Sequence, residues 1–257
     1  TVIEAVVIPE NVVDIGSFAF EDCVNLSSVK VNGTIDSVNS GISNPFRNTG
    51  SNTDGGITVE FGSGVKKIAD HMFDTNASFN SGNGSYAHIT KVVIADSVTK
   101  IGNYAFNDCY DLKNVELGKG IESIGQASFS GCNLIETVSF PHSLKEISNS
   151  AFDGASGIKT VYYDGVKADW NSVSVSSYNN ILFKTTFFYN IAYASVRVDD
   201  CFYDGTERSP EVAVFDGTDL MTDGKDYTKE FSDNIEIGKA TEMMTGVRFF
   251  SNANRVI

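Results

Sequence analysis

Positive charge is scarce in this chain: 19 Lys and Arg stand against 33 Asp and Glu, for a net charge of −14. A nucleic acid demands a basic face, so that class of partner is excluded. Residues 190–257 carry 13 acidic and 7 basic side chains, leaving −8 for the rest, so the acidity is spread over the chain and is not a tail. It reads mainly as solubility. No run of 18 or more apolar residues occurs, which leaves no helical membrane span. A basic-then-apolar leader is missing too, and the chain begins mid-pattern at Thr1, so it reads as a mature or trimmed piece of something longer.

The usual signatures of catalysis are also missing. No Gly-rich phosphate loop lies between a strand and a helix, and no Gly-x-Ser-x-Gly elbow is present. The three histidines, His71, His88 and His142, share no metal-ligand spacing with the cysteines. The runs DGTD (216–219) and DGKD (223–226) lack the EF-hand spacing with its terminal Glu and read as turns. Carboxylate couples such as Glu60 and Glu116 are easily found in so acidic a chain and mean little alone. The expectation is a protein with no catalytic residue, no cofactor and no metal.

What the chain does have is a repeat. VVIADSVTKIGNYAFNDCYDLK (92–113) restarts at Val115, Val138 and Val161, in steps of 23 residues; backwards it recurs at Val59, Val29 and Val6, in steps of 33, 30 and 23. Seven copies cover residues 1 to about 189, the mark of a solenoid. With the first valine of each unit as position zero, position +2 is always apolar (Ile8, Val31, Phe61, Ile94, Leu117, Phe140, Tyr163). Position +9 is Ile or Val up to Ile147, with Trp170 in the last unit, and position +14 is Phe20, Phe73, Phe106, Phe129 and Phe152, with Phe46 three residues late in the second unit. Columns of like chemistry at fixed offset predict side chains stacking on their own copies in a continuous core. The first residues of each unit alternate in-out-in, the period of a short strand. The IGxxAF segment is too short for a helix and predicts an irregular or 3₁₀-like return path.

These residues resemble the BspA-type leucine-rich repeat of bacterial surface proteins, whose pattern stands here as IPENVVDIGSFAFEDCVNL (8–26) and IADSVTKIGNYAFNDCYDL (94–112). The ending YYDGVKADWNSVSVSSYNNILFKTTFFYN (162–190) is similar to that family's last coil. From about Tyr193 the period is lost. Short alternating segments broken by Asp204-Gly205, Asp216-Gly217 and Asp223-Gly224 are the pattern of a small β-sandwich. They resemble the immunoglobulin-like modules that bacterial surface proteins carry in tandem. The expected fold is therefore a leucine-rich-repeat solenoid at 1–190, with short parallel strands and irregular or 3₁₀ return paths. A small all-β immunoglobulin-like sandwich at 191–257 follows, with a hinge at Asn190–Ala194.

Cys23, Cys109 and Cys132 all sit at +17, a core column, and read as buried free thiols. Two excursions, 39–56 and 74–88, are loops by composition, and whether they bind or merely drift is left open. Trp170 reads as a plug on the open end of the core. The strand face turned away from the core is the candidate recognition strip, through Lys30, Glu60, Lys91, Glu116 and Tyr162. The resemblance implies an extracellular, cell-surface or secreted bacterial module, non-enzymatic, adhering to a host or neighbouring-cell surface or matrix protein. Two alternatives stand beside it. One is a carbohydrate-binding, cell-wall-associated module in which Tyr162 and Tyr178 stack on sugars; the other is a structural stalk.

Overall fold

The computed structural model describes residues 2–38, 44–75 and 86–190 and, beyond them, the strand segments 195–198, 212–216, 219–220, 227–236, 239–246 and 254–256. Contacts divide the chain into two compact units, Thr1–Val161 with Val173–Thr186 and Tyr162–Ser172 with Phe187–Ile257.

In the first unit each coil opens with a strand, as the alternation predicts. These are β1 (Ala5–Ile8), β3 (Ser28–Val31), β5 (Ile57–Phe61), β7 (Ile89–Ile94), β9 (Asn114–Glu116), β11 (Thr137–Phe140) and β13 (Thr160–Tyr163), the last of which runs on into the second unit at Tyr162. Each coil then adds a second, two-residue strand: β2 (Asp14–Ile15), β4 (Ser37–Val38), β6 (Lys67–Ile68), β8 (Lys100–Ile101), β10 (Ser123–Ile124), β12 (Glu146–Ile147) and β14 (Ser174–Val175). Pairing is parallel, and the register puts Val6, Val29, Val59, Val92 and Val115 in one row. That row reproduces the alignment by offset, including the long steps of 30 and 33 residues.

The second strand is absent from the sequence reading, which expected one strand and one return path. It forms because a polar residue and an Ile or Val alternate at +8 and +9, burying Ile68, Ile101, Ile124 and Ile147 while the polar neighbour stays outside. The return path is itself a hydrogen-bonded ladder. N–H groups at +12, +14 and +16 donate to carbonyls at +11, +13 and +15 of the next coil; Tyr104 donates to Gln126, Phe106 to Ser128 and Asp108 to Ser130, at 2.7–2.8 Å. Left-handed residues stand at both ends of this run. At +16 they are Asp22, Asp108, Gly131 and Gly154, with Asn48 three residues late in the second unit, types that tolerate it. At +12 they are Phe18, His71, Tyr104, Ala127 and Ser150, for which a positive φ is strained.

The core is a column of stacked rings. Phe20, Phe46, Phe73, Phe106, Phe129 and Phe152 follow one another with centroid separations of 5.0, 4.6, 5.8, 5.2 and 5.4 Å. Phe46 therefore occupies its column despite arriving late. Gly102 allows the coils to close up, since a Cβ there would meet the Ala69 carbonyl carbon at 2.6 Å.

The last coil departs from the expected alignment. Val175, not Trp170, lies opposite Ile147, so the coil runs five residues late and a short helix α1 (Lys167–Trp170) fills the insertion. Trp170 is buried all the same, within ring distance of Tyr163 (5.3 Å) and Phe187 (4.7 Å). Cys23 also departs: it is half-buried, whereas Cys109 and Cys132 are fully buried and all three are free.

In the second unit, β15 (Thr186–Tyr189) is followed by β16 (Ser195–Val198), β17 (Val212–Asp216), β18 (Asp219–Leu220), β19 (Tyr227–Glu236), β20 (Lys239–Gly246) and β21 (Asn254–Val256). β16–β18 and β19–β21 form two three-stranded antiparallel sheets. The Asp-Gly turns at 204–205, 216–217 and 223–224, the 190–194 hinge and the 39–56 and 74–88 excursions fall wholly or partly outside the described residues.

The ring column sets the stability expectation. Phe106→Ala should cost roughly 3–5 kcal/mol, the range for emptying a buried aromatic site. Tyr178→Ala, at a 63% exposed position, should stay within about 0.5 kcal/mol. Chemical denaturation of both variants measures the difference, and equal midpoints would contradict the stack.

Candidate functional site

The strand face away from the core is built by the residues between the buried columns. Register places Val7, Lys30, Glu60, Val93 and Glu116 in one outward row and Ser28, Thr58, Lys91 and Asn114 in the next. Of the five residues expected to form the recognition strip, four come together as two couples. Lys30 Nζ lies 2.6 Å from Glu60 Oε1, and Lys91 Nζ 2.6 Å from Glu116 Oε1. All four side chains are 40–59% exposed, so each pair contributes little to stability, about 0–1 kcal/mol. Neutralisation across strands gives a flat polar strip with no net field of its own. Tyr162 lies in the other unit, half-buried, with its ring stacked on Phe188 at 5.0 Å.

The strip is interrupted. β1, β3, β5, β7 and β9 form one sheet, and β11 belongs to another. Between β9 and β11 opens a groove of about 600 Å³ lined by Lys113, Asn114, Val115, Glu116, Leu134, Glu136, Thr137 and Ser139. None of these residues is aromatic. The opposite narrow face is interrupted once as well, between β4 and β6, where a cleft of about 350 Å³ is lined by residues including Asp36, Lys67, Asp70, His71 and Lys100.

Two histidine sites escaped the sequence reading. His71 Nδ1 lies 2.7 Å from Asp74 Oδ2, and its ring stacks on Tyr104 at 4.9 Å. His88 Nδ1 lies 2.7 Å from Asp111 Oδ2 and its ring 4.5 Å from that of Tyr86, which in turn meets Tyr110 edge-on at 5.8 Å. The signal was available: His88 and Asp111 are 23 residues apart and hold the same offset in successive coils. Burial and the nearby Asp111 carboxylate push the Tyr86 hydroxyl up, and burial and Asp108 do the same for Tyr110. Neither phenol is thereby made a base or nucleophile at neutral pH. Among the described residues, no group of three or more His, Cys, Asp or Glu could hold a metal ion, and no helix is long and apolar enough to cross a membrane.

Comparison with known proteins gives a family match. The family described as BspA type leucine rich repeat region matches residues 1–85 and 76–204, in six copies. Among solved structures, similar chains are a leucine rich cell surface protein from Faecalibacterium prausnitzii A2-165 and a leucine rich repeat protein from T. pallidum. The first is 23% identical over 69% of this chain and 52% of that one, with a TM-score of 0.42. The second is 23% identical over 62% and 58%, with a TM-score of 0.39. A leucine-rich repeat protein from Bacteroides ovatus ATCC 8483 is 21% identical over 63% and 48%, with a TM-score of 0.36. The chain thus spans about half the length of these structures. No curated protein matches it.

The thiols complete the inventory of reactive groups. Burial pushes Cys109 and Cys132 well up, the carboxylates around Cys109 adding to it, and Cys132 donates to the Phe106 carbonyl at 3.1 Å. A neutral, inaccessible thiol is a poor nucleophile. In the unfolded chain a thiol ionises near pH 8.5. Stability from the two buried thiols is therefore complete below that pH and is lost as pH rises above it, at up to about 1.4 kcal/mol per pH unit per thiol. Cys109→Ala/Cys132→Ala should flatten this alkaline loss, as read by denaturation between pH 7 and 10. Alkylation mapped by mass spectrometry at pH 8 should modify Cys23 well before either buried thiol.

Proposed function

The chain belongs to the BspA-type leucine-rich repeat family, and from that footing we propose that it is a non-enzymatic protein-recognition module on a bacterial cell surface or secreted from the cell. Its partner in this reading is a surface or matrix protein of a host or neighbouring cell. The observation that carries the proposal is the strand face: a flat, polar strip of paired charges with no aromatic platform in its groove, which suits a protein surface better than a sugar ring. Extended solenoid faces of this kind serve as recognition surfaces.

The chain is read as two domains, a repeat domain at 1–190 and an immunoglobulin-like module at 191–257 that spaces or presents it. Support for the second is the pair of three-stranded antiparallel sheets and the alternating, turn-punctuated sequence. A carbohydrate-binding reading rests on a separate observation: Tyr178 and Phe183, both 63% exposed in the last coil, would offer stacking faces.

Binding of the whole chain to a panel of immobilised matrix proteins and glycans tests these readings. Saturable binding to a protein is expected, reduced at least tenfold when Lys30, Glu116 and Tyr162 are together changed to alanine. The two charged positions are exposed enough for binding to report recognition and not folding. Binding to glycans alone, lost in Tyr178→Ala/Phe183→Ala, would replace this reading with the carbohydrate one. Binding to nothing would favour a structural stalk.

A further inference from the structure

The last coil exposes two aromatic rings on a stretch that carries no charge. Tyr178 and Phe183 are each 63% exposed. Residues 171–183 hold no Asp, Glu, Lys or Arg, although such residues make up 20% of the chain. Residues 148–150 of the coil before are uncharged as well.

The repeat explains why Tyr178 stays open. Ser150 donates its N–H to the Ser177 carbonyl at 2.9 Å, as Ala127 does to that of Asn149 at 3.1 Å. Tyr178 is therefore the +12 residue of the seventh coil despite its five-residue delay, and it shares that column's left-handed backbone at φ 62°. Tyr104, in the same column, is covered by the His71 ring, 4.9 Å away and nearly parallel. Beside Tyr178 the column continues with Ser150 and Ala127, which have no ring to offer. Among the described residues, neither Tyr178 nor Phe183 makes a ring contact.

The backbone beneath these rings is pinned. Asn179 is 1% exposed. Its Nδ2 donates to the carbonyls of Ser148 and Ser176 at 2.9 Å and of Ser177 at 3.3 Å, and its Oδ1 accepts the Phe152 N–H at 3.0 Å. That side chain replaces the backbone carbonyl that receives Phe106 and Phe129 in earlier coils. A 3₁₀ turn (Asn180–Phe183) follows, anchored by the fully buried Leu182, with Phe183 outward. Rings held on a fixed backbone lose little freedom when a ligand arrives.

The chemistry around the rings selects the ligand. The neighbouring side chains Ser176, Ser177 and Asn180, with Asn149 and Ser150 beside them, are hydroxyls and amides, which both donate and accept hydrogen bonds. Sugar hydroxyls do the same, and the C–H face of a pyranose is apolar enough to lie on an aromatic ring. The charges that border the stretch are Lys184, next in sequence to Phe183, and Glu146, which accepts from the Ser148 hydroxyl at 3.1 Å. A net charge of −14 works against acidic glycans.

We propose that the last coil binds an uncharged oligosaccharide, whose rings stack on Tyr178 and Phe183 and whose hydroxyls bond to Ser176, Ser177 and Asn180. The inference rests on the carbohydrate reading, to which it assigns residues and a ligand class. It leaves the strand face free for a protein.

The test titrates the full chain, ¹⁵N-labelled, with cello-, xylo- and mannohexaose, and with hexasaccharides of galacturonate and chondroitin sulfate as charged counterparts. At least one neutral hexasaccharide should shift the amides of 176–183 saturably and bind at least tenfold more tightly than either charged one. Tyr178→Ala/Phe183→Ala should weaken that binding at least tenfold while leaving the melting temperature within a few degrees, since Ala127 already adopts the same backbone at φ 50°. Tyr178→Phe, which keeps the ring, should hold affinity within threefold. Should the double variant not fold, Tyr178→Ala alone serves, with at least a fivefold loss expected. Equal binding of charged and neutral sugars, or a matrix protein whose binding is lost in Tyr178→Ala/Phe183→Ala, would overturn the proposal. A neutral sugar that binds with shifts elsewhere, or indifferently to these substitutions, would overturn the site and leave the carbohydrate reading intact. If no sugar binds, both fall and the protein-recognition reading is untouched.

Discussion

The phenylalanine column is the constraint on which the rest of the first unit depends. A ring stacked on its neighbours at 4.6–5.8 Å can sit only where one coil lies directly above the last. That fixes the rise and register of every other residue in the turn. The strand row Val6–Val29–Val59–Val92–Val115 and the return-path hydrogen bonds follow from it. The same constraint absorbs insertions. The second coil is seven residues longer than the standard 23 and its ring three residues late, yet Phe46 stacks on Phe20 and lies tilted against Phe73. The ring keeps its place because lengthening a loop costs little compared with emptying a buried aromatic site.

Strain is distributed with the same regularity. A left-handed residue at +12 in successive coils turns the chain so that alternate N–H groups point to the next coil, and Phe18, His71 and Tyr104 accept that conformation although glycine would adopt it freely. Each such residue is destabilising locally. The ladder it permits satisfies backbone groups that would otherwise be buried without partners, a larger cost per group. The stacking of His71 on Tyr104 at 4.9 Å shows the column continuing on the outside of the coil. The position is therefore architectural before it is functional.

Much of this was legible because a buried column tolerates few residue types, so identity recurs at fixed offset. Val92, Ile101, Phe106 and Leu112 advertise their places by chemistry alone. The two-residue second strand was harder to see, since a lone polar–Ile couple gives too little alternation to read. The +12 turn was invisible for a related reason: Phe, His, Tyr, Ala and Ser carry no turn signal. Trp170 misled because position 170 holds the expected offset, while the inserted helix moves the true counterpart to Val175. Of the candidate strip, Lys30, Glu60, Lys91 and Glu116 were placed correctly on the outward face. Their pairing was not read, although the register of the repeat brings each lysine beside its glutamate.

The groove had no signature at all, and the reason bears on how such faces recognise partners. It arises where a ladder stops, between coils whose spacing is an unbroken 23 residues, so neither an insertion nor a breaker marks it. Elsewhere on the strip, Lys30–Glu60 and Lys91–Glu116 cancel their charges. The −14 of the chain therefore speaks for its other surfaces and governs encounter more than fit. A face whose charges are satisfied internally offers a partner little beyond shape. At the break it leaves Val115 and Leu117 partly uncovered and Leu134 exposed within one short stretch. Interfaces draw most of their affinity from such small desolvated clusters and not from the breadth of contact around them. An array that pairs its strands almost everywhere thus leaves part of its apolar core open to a partner where the pairing stops.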